Sequence, residues 1–153
     1  GCVFWFTLPI IEKNPIQVND ENGKDLIDDL TMKSHNILVA EDNEDNLELI
    51  TDILDIHQHH IIVARNGQEA IRLTQNHKPE LILMDIRMPV MSGLDAMREL
   101  RKMPDVSRIP IIALTASVGD LVYEKLIEAG FSDYLSKPLN LASVTRMLKK
   151  FLK

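Results

Sequence analysis

The sequence predicts a doubly wound α/β domain, and three observations carry that prediction. Four short apolar runs lack the polar alternation of a half-exposed strand, so each reads as a strand buried on both faces, and a weaker fifth strand falls around Tyr134-Leu135. Apolar residues at helical spacing follow every run. Repetition of strand and helix in this order means right-handed crossovers onto a parallel sheet, with helices on both faces.

The first run is Ile37-Leu38-Val39-Ala40, and Leu47, Ile50 and Leu54 mark the helix after it. Ile61-Ile62-Val63-Ala64 is the second, followed by Ala70, Ile71 and Leu73 on a helix opened by Asn66-Gly67. Leu81-Ile82-Leu83-Met84 leads to a helix carrying Leu94, Met97 and Leu100. Ile111-Ile112-Ala113-Leu114 leads to one carrying Leu121, Leu126 and Ile127, stopped by Gly130. The last strand, around Tyr134-Leu135, is weak; Asn140 caps the final helix with Val144, Met147, Leu148 and Phe151.

Composition bounds the function. The chain has 153 residues, 45% hydrophobic and 26% charged, enough for one globular domain with an appendage. A net charge of −6 argues against nucleic-acid binding. The single cysteine, Cys2, excludes a disulfide framework and a thiolate metal cage, and points to a reducing, cytoplasmic compartment. No apolar run reaches the roughly 20 residues of a membrane helix, so no membrane contact is expected of this fragment. Residue 5 is Trp5 where an acylation signal beginning Gly1-Cys2 needs Ser or Thr.

The character of the chain changes near residue 35. Residues 12–35 are polar and acidic, with Asn14-Pro15, Asn22-Gly23 and Asp28-Asp29, and read as a linker in which Leu26, Ile27 and Leu30 could form one helical turn. Gly1 in place of Met is expected to mark a piece cut from a longer protein.

In doubly wound sheets the working site lies beyond the carboxyl ends of the strands. Glu41-Asp42 follows the first strand, Asp85 the third, Thr115-Ala116 the fourth and Lys137-Pro138 the fifth. Three carboxylates, a hydroxyl and an ammonium should therefore share one rim. One lysine cannot neutralise three acids, and an all-oxygen cluster with water access suits Mg²⁺. An aspartate held by such an ion is a potential nucleophile toward phosphorus. Lys137 and Thr115 would each take a phosphoryl oxygen, and small Ala116 and Ser117 leave room above the acceptor.

On these motifs residues 36–153 resemble the receiver domain of two-component response regulators. The matching residues are Glu41-Asp42-Asn43, Met84-Asp85-Ile86-Arg87-Met88-Pro89 with Gly93, Thr115-Ala116 and Lys137-Pro138, with Tyr134 three residues before the lysine. The resemblance implies strand order 2-1-3-4-5 and a phosphorelay role in which Asp85 accepts a phosphoryl group from phosphohistidine. The donor would be a kinase dimerisation domain or a histidine phosphotransfer protein, and transfer and dephosphorylation would be self-catalysed. It also implies Mg²⁺, with Mn²⁺ as an alternative, held by Asp42, Asp85 and the Arg87 carbonyl, with Glu41 acting through water. Lys137 would pair with Asp85 and then with its phosphate, while Thr115 and Tyr134 move together as a switch. The Lys137-Pro138 bond is expected to be cis.

Residues 1–11, with Val3-Phe4-Trp5-Phe6 and Leu8-Pro9, resemble the last strand of a histidine-kinase ATP-binding domain, which implies a hybrid sensor histidine kinase. A membrane anchor of that parent would lie outside this fragment. An aromatic strand without its sheet would favour association, so a homodimer is one expected state. Because the sequence stops at Lys153, the phosphate is expected to pass to a phosphotransfer partner or to regulate the kinase in cis.

Rival functions fail on particular residues. An aspartate-nucleophile phosphatase needs an acid two residues after Asp85, where Arg87 stands. A phosphate-free pseudo-receiver would lack Asp85, Lys137 or a member of the acidic pair. A flavin-binding relative needs a glycine- and hydroxyl-rich loop where Glu41-Asp42-Asn43-Glu44-Asp45 would repel phosphate. His57, His59 and His60 read as surface histidines on the side of the sheet away from Asp85, and Met88, Met91 and Met97 as packing.

Overall fold

A computed structural model of the chain describes residues 33–152. The aromatic strand expected over 1–11, Cys2, the Asp28-Asp29 pair and nearly all of the linker lie outside the described residues. In chain order the elements are β1 (Asn36–Ala40), α1 (Glu44–Ile56), β2 (His60–Ala64), α2 (Gly67–His77), β3 (Leu81–Asp85), α3 (Gly93–Arg101), β4 (Ile111–Thr115), α4 (Asp120–Ala129), β5 (Asp133–Ser136) and α5 (Leu141–Phe151). The strands pair in parallel in the order β2-β1-β3-β4-β5, as the resemblance implied. Among the described residues no helix is long and apolar enough to cross a membrane.

Alternation of side chains along each strand divides the core in two. Ile37, Val39, Leu83 and Leu114 face Leu47 and Ile50 of α1 and Val144 and Leu148 of α5. Leu38, Ala40, Ile82 and Met84 face Ala70 of α2, Met97 and Leu100 of α3, and Leu126 of α4. Met88 and Met91 pack against that second core, as expected. β1, β3 and β4 are buried almost throughout, which their unbroken apolar runs foretold. β2 sits at the sheet edge and is half-buried, so its apolar run overstated its burial.

Local chemistry fixes the helix starts. Asn43, Asn66, Ser92 and Asn140 each accept a hydrogen bond from the backbone N–H three residues on, satisfying one of the orphan donors of a first turn. Gly93 allows α3 to touch the end of β3. A Cβ there would lie 2.0 Å from the Asp85 carbonyl oxygen, so only glycine lets the helix seat against the strand end. Gly130 ends α4 at φ 121, a left-handed conformation that side chains resist.

Two sequence expectations need correction. Leu121 and Ile127 do not share the buried face of Leu126; Leu121 is 73% exposed. Leu121 and Leu126 lie roughly 140° apart around a helix, since each residue turns it by about 100°. The second correction concerns the histidines. His60 is exposed, but His57 and His59 are only 6% and 5% exposed, together with His35. They are buried because local partners accept them. His57 Nε2 lies 3.1 Å from Thr145 Oγ1, His59 Nδ1 accepts the His35 backbone N–H at 3.2 Å, and His35 Nδ1 lies 3.0 Å from Glu80 Oε1.

Accepting at Nδ1 leaves the proton of neutral His59 on Nε2, which is buried without a hydrogen-bond partner among the described residues. Burial and the neighbouring His35 and His57 push the His59 pKa down to about 4. The folded state therefore resists a proton that the unfolded chain takes up near pH 6.5. The sign follows: stability falls as pH drops from about 6.5 to about 4, by on the order of 3 kcal/mol in total. His59→Phe should flatten that slope in denaturant titrations over this range, while costing some stability at neutral pH through loss of the Nδ1 acceptor. Identical slopes for the two proteins would contradict the assignment.

Candidate functional site

β1 neighbours both β2 and β3, so the chain leaves the sheet in opposite directions beside it. At that switch point the C-terminal ends of β1 and β3 lie side by side, with Ala40 in register with Met84. This brings Glu41, Asp42 and Asp85 together. One carboxylate oxygen of each lies within 4.8 Å of the others, and among the described residues no other three metal-ligating side chains converge so closely. The three histidines form no such group.

Glu41 is fully buried. Its backbone N–H donates to the Ala64 carbonyl at 3.0 Å, which anchors it above β2. Its Oε1 accepts the Asn43 N–H at 3.1 Å, and its Oε2 accepts Lys137 Nζ at 2.8 Å. Asp85, also buried, accepts the Arg87 N–H on Oδ1 at 3.2 Å, and its Oδ2 lies 3.1 Å from Lys137 Nζ. Asp42 is exposed, which opens the cluster to solvent.

Lys137 therefore bridges two buried carboxylates. Its backbone N–H donates to the Thr115 carbonyl at 2.8 Å, tying the lysine to the end of β4, and the Lys137-Pro138 bond is cis. Burial alone would lower its pKa, but the hydrogen bonds and charges of Glu41 and Asp85 win and raise it, so the ammonium is firmly charged. Burial, with the Asp85 charge, pushes the Glu41 carboxyl up, against the opposing pull of Lys137 and the Asn43 N–H. The sequence reading assigned Lys137 to Asp85 and missed its shorter contact with Glu41. A glutamate next to an aspartate at a strand end does not reveal which of the two points inward.

Thr115 is buried beside this cluster, and its Oγ1 accepts the Ser117 N–H at 3.1 Å, which leaves the hydroxyl proton free to donate. A cleft of about 260 Å³ opens alongside, bordered by Asp85, Arg87, Thr115, Ala116, Ser117 and Lys125. Small residues at 116 and 117 do leave space there. Lys125, on α4, was not singled out in the sequence, because a lysine on an exposed helix carries no signal by itself. Tyr134 is not among the cleft residues; its ring lies tilted by 52° against Tyr123, with centroids 5.8 Å apart, and packs against the core that includes Leu126 of α4.

The charge count is three acids against one ammonium. Two carboxylates at the observed spacing repel by about 3–4 kcal/mol at an effective dielectric near 20. Hard oxygen donors, one of them open to water, fit a divalent ion such as Mg²⁺, which prefers oxygen ligands and retains several waters. The carboxylates of Glu41, Asp42 and Asp85 are the side chains that could hold it.

The family model described as "Response regulator receiver domain" matches residues 37–149. The chain is 35% identical over 116 residues to the polar-differentiation response regulator DivK of Brucella anthropi, covering 76% of this chain and 94% of the relative. It is 38% identical over 125 residues to the aerobic respiration control sensor protein ArcB of Escherichia coli, covering 81% of this chain but 16% of that protein. Among solved structures, the receiver domain of the sensor histidine kinase PA1611 of Pseudomonas aeruginosa, with magnesium coordinated in its active-site cleft, aligns with TM-score 0.71 and 35% identity over 78% of this chain and 98% of that one. A chain of the Saccharomyces cerevisiae co-crystal of the histidine phosphotransfer protein Ypd1 with the receiver domain of Ssk1 aligns with TM-score 0.72 and 31% identity, over 78% and 90%.

Proposed function

The chain belongs to the response regulator receiver domain family of two-component phosphorelays, and from that premise we propose that Asp85 is its phosphoacceptor. The observation that carries the assignment is the position of Asp85: a buried carboxylate at the end of β3, touching Lys137 and facing the open cleft. In the transfer, an Asp85 oxygen forms a bond to phosphorus as the P–N bond of a phosphohistidine breaks. The imidazole nitrogen keeps that electron pair and the ring leaves neutral, already protonated on its other nitrogen.

Positioning and charge do most of this work. Lys137 is already in contact with Asp85 and follows the incoming phosphoryl oxygens, while the Thr115 hydroxyl donates to another. A divalent ion held by Asp42, Asp85 and the Arg87 carbonyl, with Glu41 through water, would neutralise further charge on the same group. Thr115 shifting toward the phosphate would free space for Tyr134, which now lies against Tyr123 on α4, so the face carrying α4 and β5 would report the change.

The likeness to a sensor kinase receiver and to ArcB supports reading residues 36–153 as the receiver of a hybrid histidine kinase; on that reading residues 12–35 would be its linker and 1–11 the end of its ATP-binding domain. A histidine phosphotransfer protein or a kinase dimerisation domain then supplies or receives the phosphate. Incubation with a panel of phosphorylated histidine proteins and Mg²⁺ tests this reading. One donor should lose its label to this chain rapidly, giving one hydroxylamine-sensitive acyl phosphate. Failure of every donor, and of small acyl phosphates too, would overturn it.

A further inference from the structure

Counting charges around Asp85 leaves one unit unaccounted for after phosphorylation. Glu41, Asp42 and Asp85 contribute three negative charges and Lys137 one positive, and a divalent ion would bring that total to zero. Converting the Asp85 carboxylate to an acyl phosphate replaces a charge of −1 with one of about −2. Lys137 is already shared between two carboxylates and has no further charge to give.

The helix α4 provides a candidate for the missing charge. Val122, Lys125 and Leu126, at helical positions i, i+3 and i+4, all border the cleft beside Asp85, so one face of α4 is turned toward it. Buried Leu126 fixes that face against the sheet core. Lys125 itself is exposed and, among the described residues, makes no ion pair or hydrogen bond. Its ammonium rides on a flexible four-carbon stem, so it can follow a group that arrives in the cleft without disturbing the packing beneath.

We infer that Lys125 is a positioning residue for the phosphoryl group: a second ammonium, delivered by α4, that draws anionic phosphodonors into the cleft and balances the charge added to Asp85. This rests on Asp85 being the acceptor. With a small acyl phosphate such as acetyl phosphate, the Asp85 oxygen bonds to phosphorus, the P–O bond to the acyl group breaks, and acetate departs with the electron pair. No proton changes hands, so the charge entering the cleft must be met by fixed cations.

The test is the initial rate of loading by acetyl phosphate with Mg²⁺, measured on the whole chain at low and high salt. Lys125→Gln should load about threefold to tenfold more slowly at low ionic strength, with the gap closing near ~0.5 M salt as the charge is screened. Lys125→Arg should restore the rate, Lys125→Glu should depress it further, and the unfolding midpoint should not move. Equal loading of Lys125→Gln and the parent chain at low salt would overturn the inference, as would a loss indifferent to salt and not restored by arginine. If the parent chain itself takes no label, the acceptor assignment fails instead.

Discussion

Lys137→Ala is expected to slow phosphate loading by at least about 100-fold and to destabilise the domain by about 3–5 kcal/mol at neutral pH. Both effects have one cause. Lys137 is the cation of a fully buried Glu41 and of a nearly buried Asp85, at 2.8 and 3.1 Å. Removing it strands two carboxylates that already repel each other and an adjacent Asp42. The stability loss belongs mainly to the unpaired buried charge, so Lys137→Ala combined with Glu41→Gln should recover much of it. Loading should not recover with it, because the amide cannot follow the phosphoryl group. Denaturant unfolding of the two single variants and the double variant, beside their loading rates, separates the two effects. A lysine variant within about 1 kcal/mol of the parent and loading at the parental rate would remove Lys137 from both roles.

Asp85→Asn should abolish stable phosphorylation while leaving the fold intact. An amide oxygen is a poor nucleophile toward phosphorus, and its product would carry no acyl phosphate. The same substitution removes one of three crowded negative charges and leaves Glu41 to hold Lys137, so stability should be unchanged or higher by about 1 kcal/mol. Affinity for a divalent ion should fall at least about tenfold, since one of its carboxylates is gone. Retained labelling would move the acceptor elsewhere, with exposed Asp42 the nearest carboxylate. A large loss of stability would mean that the repulsion at this rim had been overstated.

The strands and the rim of strand-end residues were legible because unbroken apolar runs have few other uses in a chain of this size, whereas the strand order came from the resemblance to receiver domains. Asp85 and Thr115 each follow such a run and Lys137 follows the weaker fifth strand, so finding the strands also found the candidate site. Other features depend on rotation and depth, which a one-dimensional pattern records poorly. Leu121 and Ile127 are apolar residues on a helix, yet they fall on the solvent side of the turn that buries Leu126. His57 and His59 are polar by type but find Thr145 and the His35 backbone, so burial costs them less than composition suggests. The Glu41–Lys137 pair joins residues 96 positions apart, and nothing local announces which acid of the Glu41-Asp42 pair turns inward.

The most direct test of the whole account is to find where the phosphate sits. After exposure to a phosphorylated histidine donor and Mg²⁺, borohydride reduction and peptide mass spectrometry should place a single reduced residue at position 85, with none when the metal is chelated. A label on a histidine such as His57, or on Asp85 to the same extent without metal, would contradict it.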